Sequence, residues 1–300
     1  MTGKTRGSLE TWVLAARPKT LPAALAPVLV GTAVAWSVDG FRAGPAAAAA
    51  FGALLLQIGS NLANDVYDFE RGADREDRTG PLRVTQAGLL TPGQVRRAMV
   101  LVFGASIFVG IYLTAVAGWP VIAIGLAAIG AAIAYTGGPW PLGYNGLGEL
   151  FVLLFFGFAA VCGTAYVQVG HVPRSAWVAG FAAGCLASAI LVVNNVRDVD
   201  QDRLAGKRTL PVRFGRSWGV AEFGVLTAAG IFLPVASVLT GRQPPTLLIV
   251  LAAAPLAVPL FQSLRDERGP ALNRTLAGTA RLFLIWSVLY SAGLLLGGRG

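Results

Sequence analysis

The chain has 300 residues, of which 55% are hydrophobic and only 13% charged, with a mean hydropathy of +0.63. A soluble domain carries about 25% charge; here the deficit runs along the whole chain in apolar blocks of roughly 17–23 residues, the length that crosses a hydrocarbon core. This excludes a soluble enzyme and indicates an all-α, polytopic membrane helix bundle, in which a net charge of +9 reads as topology rather than as a nucleic-acid surface.

In chain order, residues 1–16 read as a cytoplasmic lead-in. Nine spans follow, at 21–38, 45–63, 98–117, 119–136, 149–169, 177–194, 218–239, 246–261 and 281–297, forming a single intramembrane domain over 1–300. The first block carries Pro22 and Pro27 and reads as a true span rather than a cleavable signal. With the N-terminus in the cytoplasm, 20 of the 24 basic residues fall on the cytoplasmic side. Cys162 and Cys185 lie inside apolar blocks, with neither disulfide nor metal-ligand spacing. The single histidine, His171, sits in a short connection, which argues against histidine-centred catalysis.

The second span ends in NDVYDFERGADREDRTGPLR, residues 64–83, with carboxylates at Asp65, Asp68, Glu70, Asp74, Glu76 and Asp77. The sixth span ends in NNVRDVDQD, with Asp198, Asp200 and Asp202. Asn64–Asp68 aligns with Asn194–Asp198 at an offset of 130 residues, each stretch at the cytoplasmic end of a span and each followed by a glycine, Gly72 or Gly206. Carboxylates beside a membrane interior are expensive and read as functional. At 100° per residue, Asn61, Asp65 and Asp68 share one helix face, and Asn194, Asp198 and Asp202 share another. Two such faces opposed across a cavity repel unless a cation sits between them. Oxygen donors without histidine or cysteine suit Mg²⁺, which takes one or two carboxylates and completes its shell with water and phosphate oxygens. Nearby Arg71, Arg75, Arg78, Lys207 and Arg208 are placed to meet phosphates.

A polyprenyl diphosphate fits both halves of this picture: a polar head at the interface and an apolar tail in lipid. Its diphosphate leaving group needs cationic neutralisation. The allylic cation left behind can be steadied by aromatic faces, for which Tyr67, Tyr135, Trp140 and Tyr144 are candidates.

The strings NDVYDFERGAD and NNVRDVDQDRLAGKRTLPVRFG resemble the two Asp-rich signatures of the UbiA-type intramembrane prenyltransferases. ARPKTLPAALAPVLVGTA at 16–33, GADREDRTGPLRVTQAGLLTP at 72–92, YTGGPWPLGYNGLGE at 135–149 and GKRTLPVRFG at 206–215 resemble most the subgroup of menaquinone synthesis that prenylates 1,4-dihydroxy-2-naphthoate. The resemblance implies an all-helical bundle of nine spans around a central cavity that opens laterally to lipid, and Mg²⁺-dependent transfer of a polyprenyl chain to the aromatic acceptor, with loss of the ring carboxylate as CO₂ to give a demethylmenaquinone. It implies that Asn64, Asp68, Asp198 and Asp202 hold the metal and diphosphate, assisted by Asp65. Asn61, Tyr135, Asn194 and Asn195 would meet substrate. Lys207, Arg78 and Arg197 would bind diphosphate or the acceptor's carboxylate.

Two positions depart from the superfamily pattern. Where another aspartate is usual, four residues after Asp68, this chain has Gly72, with Asp74 as a possible substitute. No lysine follows Tyr135, which disfavours 4-hydroxybenzoate as acceptor. The candidate bases for the acceptor's hydroxyl are Asp65 and Glu149. The competing readings are another acceptor (homogentisate, a haem or a glycerol phosphate) and an ion-coupled transporter, whose acids would lie nearer the bilayer midplane. The expected location is the cell membrane, with the active site at the cytoplasmic face.

Overall fold

The computed structural model describes residues 8–73, 80 and 82–298, and among them every regular element is helical. Ser8–Ala16 forms a helix, α1, whose Ala15 is buried beside Leu62 and Ala63. A 3₁₀ turn, Pro18–Thr20, joins it to α2, Leu21–Ser37. There follow α3, Ala43–Glu70; α4, Pro92–Ala117; and α5, Pro120–Thr136. The fifth span starts as α6, Gly148–Val152, opens into a π-helical stretch, Leu153–Cys162, and closes as α7, Gly163–Val169. Next come α8, Arg174–Arg197, and two short helices, α9, Val199–Leu204, and α10, Leu210–Phe214. α11 is Arg216–Leu239; a 3₁₀ stretch, Pro245–Ala253, runs into α12, Ala254–Asp266; and α13 is Leu272–Leu296.

Eight of the described helical segments are long and apolar enough to cross a membrane, and α5, at 17 residues, is the shorter ninth. It rises about 26 Å, slightly less than a hydrocarbon core. The nine expected spans are therefore all present as helices, and the chain is a multi-pass membrane protein. Several helices outrun their apolar windows. α3 continues seven residues past 63, so its acidic row lies on continuous helix. α4 starts at Pro92 rather than 98, because Thr91 and Gln94 form a capping box there. α13 starts nine residues before 281 and carries Asn273 and Arg274 on its first turns. Hydropathy marks where lipid ends; caps mark where helices end.

α8 is the most enclosed of the spans. Its run of Ala, Gly and Ser lets neighbours approach closely, as small residues do inside membranes. A Cβ on Gly157 of the π-helical stretch would lie 2.5 Å from the Gly180 carbonyl oxygen and 2.8 Å from the Gly184 Cα, so backbone meets backbone there. α8 also packs on α11, α3 packs on α4, and α2 packs on α13. The helices enclose a cavity of about 1090 Å³. One end is lined by Asp68, Asp198, Asp202 and Lys207. The opposite end is lined by Leu113, Val121 and Tyr166, where the Tyr166 hydroxyl donates to the Ala117 carbonyl at 2.9 Å.

Candidate active site

The last turns of α3 present Asn61, Asn64, Asp65 and Asp68, and the structure gives them different work. Asn61 is buried and joins helices: its Nδ2 donates to the Ala16 carbonyl at 3.0 Å and to Thr20 Oγ1 at 2.9 Å. Asp65 is buried too. Its two oxygens accept from the backbone N–H groups of Val84 (3.2 Å) and Thr85 (3.0 Å), and Arg17 Nη2 is 3.7 Å away. Neither residue lines the cavity; Asn64 and Asp68 do. Asn64 Oδ1 accepts from Thr136 Oγ1 at 3.0 Å. Asp68 is the most heavily engaged: Arg83 Nη2 lies 2.6 Å from its Oδ2, and the Tyr144 hydroxyl donates to its Oδ1 at 2.6 Å.

The second row spans the joint between α8 and α9. Asp198 sits at that joint, and the backbone bond from Asp202 N to Asp198 O (2.8 Å) carries the row across it. Asn194, Asn195, Asp198, Asp202 and Lys207 all line the cavity. Arg197, expected to meet substrate, is instead turned behind the row. Its guanidinium forks onto Asp198 at 2.7 and 2.6 Å, and also donates to Asn194 Oδ1 (2.8 Å) and Asn273 Oδ1 (2.9 Å). The buried guanidinium thus meets four protein oxygens and braces the Asp198 carboxylate from behind. Lys207 Nζ lies 3.2 Å from Asp202 Oδ1 and 4.8 Å from the centre of the Tyr144 ring. Burial pushes the Asp202 carboxyl above its ordinary range; Lys207 opposes this, while the Asp198 and Asp68 charges add to it. The two rows thus feel each other, and Arg83, Asp198, Asp202 and Lys207 line one recess.

The helix ends explain the pairing. α3 stops at Gly72, with φ +67°, and the Ala73 N–H bonds back to the Asp68 carbonyl at 2.9 Å. α9 stops at Gly206, with φ +72°, and the Lys207 N–H bonds back to the Asp202 carbonyl, also at 2.9 Å. Both are left-handed glycine caps, conformations that an L side chain resists. This accounts for glycine at 72, where the superfamily pattern has aspartate. It also moves the repeat one helical turn from its sequence register: Asp68 corresponds to Asp202 and Asn64 to Asp198. Each half offers an i, i+4 pair of oxygen donors in the two turns before its cap.

Among the described residues, no three Asp, Glu, His or Cys side chains cluster closely enough to hold a metal unaided. Two opposed pairs with carboxylate and amide oxygens fit Mg²⁺ that shares its shell with diphosphate and water. Tyr135 lines the cavity. Glu149 does not: it stands behind Asn195, whose Nδ2 donates to its Oε1 at 2.6 Å. Tyr67 and Trp140 are also absent from the lining, whereas Tyr144 belongs to it. Arg78 and Asp74 lie outside the described residues. Reading along helix faces missed Arg17, Lys19 and Arg83, which line the cavity from connecting segments. For Arg83 the available signal was the string GPLRVT, where one arginine sits beside a turn with no helical neighbour to pair with.

Comparison with known proteins gives the same picture. The pattern of the UbiA prenyltransferase family matches residues 24–291. The 1,4-dihydroxy-2-naphthoate octaprenyltransferase of Haemophilus influenzae is 36% identical over 96% of this chain and 97% of that protein. The protein of the same name from Mycobacterium tuberculosis is 37% identical over 97% and 98%. A UbiA homolog from Archaeoglobus fulgidus, solved bound to GPP and Mg²⁺, superposes with a TM-score of 0.67 over 94% of this chain and 99% of that one, at 16% identity, a likeness of fold.

Proposed function

The chain belongs to the UbiA prenyltransferase family, and on that premise we propose that it transfers a polyprenyl group from polyprenyl diphosphate to 1,4-dihydroxy-2-naphthoate, with decarboxylation, giving a demethylmenaquinone. One observation carries the reading: the Asn64/Asp68 and Asp198/Asp202 pairs together line the polar end of an otherwise largely apolar cavity of about 1090 Å³. The full-length relatives named for this acceptor support the choice of naphthoate.

These four residues would hold Mg²⁺, which supplies positive charge to the departing diphosphate. Lys207 and Arg83 stand beside the carboxylates and add cationic donors to the same oxygens. The faces of Tyr135 and Tyr144, both in the cavity wall, meet the allylic carbon as it loses its leaving group. The apolar wall between α4, α5 and the fifth span takes the tail and keeps water from the allylic centre. The acceptor attacks through its carboxyl-bearing carbon, and CO₂ departs as the ring regains aromaticity. We place the protein in the cell membrane as a single intramembrane domain, N-terminus and polar cavity mouth in the cytoplasm, because the basic residues gather on that side.

The test is mass spectrometry of the products formed by the purified protein, offered several aromatic acceptors and several prenyl diphosphates, with and without EDTA. The expected outcome is a decarboxylated prenyl naphthoquinol that disappears with EDTA. Product from another acceptor alone would overturn the assignment.

A further inference from the structure

Glu149 is a buried acid that the proposed chemistry does not use, and its surroundings are specific. The preceding residue, Gly148, is pressed against the cavity wall: a Cβ there would lie 2.9 Å from the Tyr135 hydroxyl and 2.9 Å from Leu191 Cδ2. The Glu149 backbone is pinned from the other side, where Ser188 Oγ donates to its carbonyl at 3.0 Å. The side chain reaches toward Asn195 on α8. Its Oε1 accepts from Asn195 Nδ2 at 2.6 Å, and its Oε2 is buried without a hydrogen-bond partner among the described residues.

Asn195, unlike Glu149, lines the cavity. Free in a pocket wall, an asparagine amide can present either its oxygen or its nitrogen, because the two ends are nearly the same shape. A carboxylate behind it removes that choice, since a carboxylate only accepts. With Nδ2 drawn to Glu149, the group left for the cavity is Oδ1, an acceptor. A cavity-facing acceptor in the wall that also holds Tyr135 is suited to a hydroxyl donor on a planar ring.

We propose that Glu149 is a positioning residue: it locks the Asn195 amide so that Oδ1 accepts a hydrogen bond from a ring hydroxyl of the aromatic substrate. This rests on the functional reading above and adds the group that recognises the acceptor, distinct from the groups that hold the diphosphate. Glu149 touches no reacting atom and acts only through Asn195.

The test is a double-mutant cycle in the purified protein, with KM measured separately for the aromatic acceptor and for the prenyl diphosphate. N195A and E149A each raise the acceptor KM about tenfold, the worth of one good hydrogen bond, and leave the diphosphate KM within about twofold. The double variant is no worse than N195A alone, because coupled residues are non-additive. E149Q keeps the side-chain volume, but its amide can donate as well as accept, so Asn195 is free to flip and the acceptor KM rises toward that of E149A; it also serves should E149A insert poorly. In the unaltered protein, an acceptor with that hydroxyl methylated binds about tenfold worse, and N195A abolishes the difference. Effects that multiply in the double variant, both KM values rising together, or E149Q with the acceptor KM of the unaltered protein would each overturn the proposal while leaving the functional reading intact. Failure of the unaltered protein to prenylate any hydroxylated aromatic acceptor would sink the reading and the proposal together.

Discussion

Asp65 and Asp68 stand three residues apart on one face of α3, and nothing in their spacing separates them. The structure does, because the segment after α3 folds back. Asp65 takes the N–H groups of Val84 and Thr85, while Asp68 takes Arg83 and Tyr144 and faces the cavity. The sequence therefore revealed that a carboxylate row exists but not which member serves the fold. The partner that decides it lies 15 residues away, beyond any helical periodicity. The two roles predict different effects on turnover. Asp65→Ala leaves two backbone donors buried without acceptors, at about 1–3 kcal/mol each, so the melting temperature in detergent falls by several degrees. Asp68→Asn keeps the shape and an acceptor for Tyr144 but loses the charge. Its turnover falls at least about 100-fold, far more than that of Asp65→Ala, and its melting temperature also drops because the buried Arg83 guanidinium loses the counter-charge at Asp68. Thermal melts and initial rates on both variants separate the roles.

At the scale of helices, the nine apolar blocks were legible because lipid imposes their length and composition. The ends were less so. α3 runs on into its acidic turns because its charged face meets the cavity and the folded-back segment rather than lipid. The π-helical stretch carries no sequence mark beyond its one glycine, Gly157, at which its backbone comes close to α8. The repeat, read as an offset of 130 from similar letters, takes its structural register from the two glycine caps, one turn further on. The caps give a direct prediction. Nothing lies within 4 Å of a Cβ built on Gly206, so Gly206→Ala meets only the backbone strain of φ +72°. That costs about 1–2 kcal/mol, and Gly206→Asn costs less. Because this cap sets the direction of Lys207 toward Asp202, turnover falls in the same order, from glycine through asparagine to alanine, in parallel melting and rate measurements.

At the scale of the whole molecule, the distribution of basic residues predicts which way the cavity mouth faces. In a protein lacking Cys162 and Cys185, both buried, Arg208→Cys would be labelled by a membrane-impermeant thiol reagent only from the cytoplasmic side, and Arg242→Cys only from outside. The reverse pattern would turn the mouth outward. Composition alone specified a bundle with one charged end. Only the folded chain brings α3 and the α8–α9 joint to opposite walls of one cavity, and that convergence is the central claim. It is tested most directly by the binding of a short prenyl diphosphate to the purified protein, titrated with and without Mg²⁺, in the unaltered chain and in Asp68→Ala and Asp198→Ala. The account predicts binding that requires Mg²⁺ and is lost in either variant, because each wall supplies half of the grip. Binding that persists in EDTA, or that survives the loss of either aspartate, would contradict it.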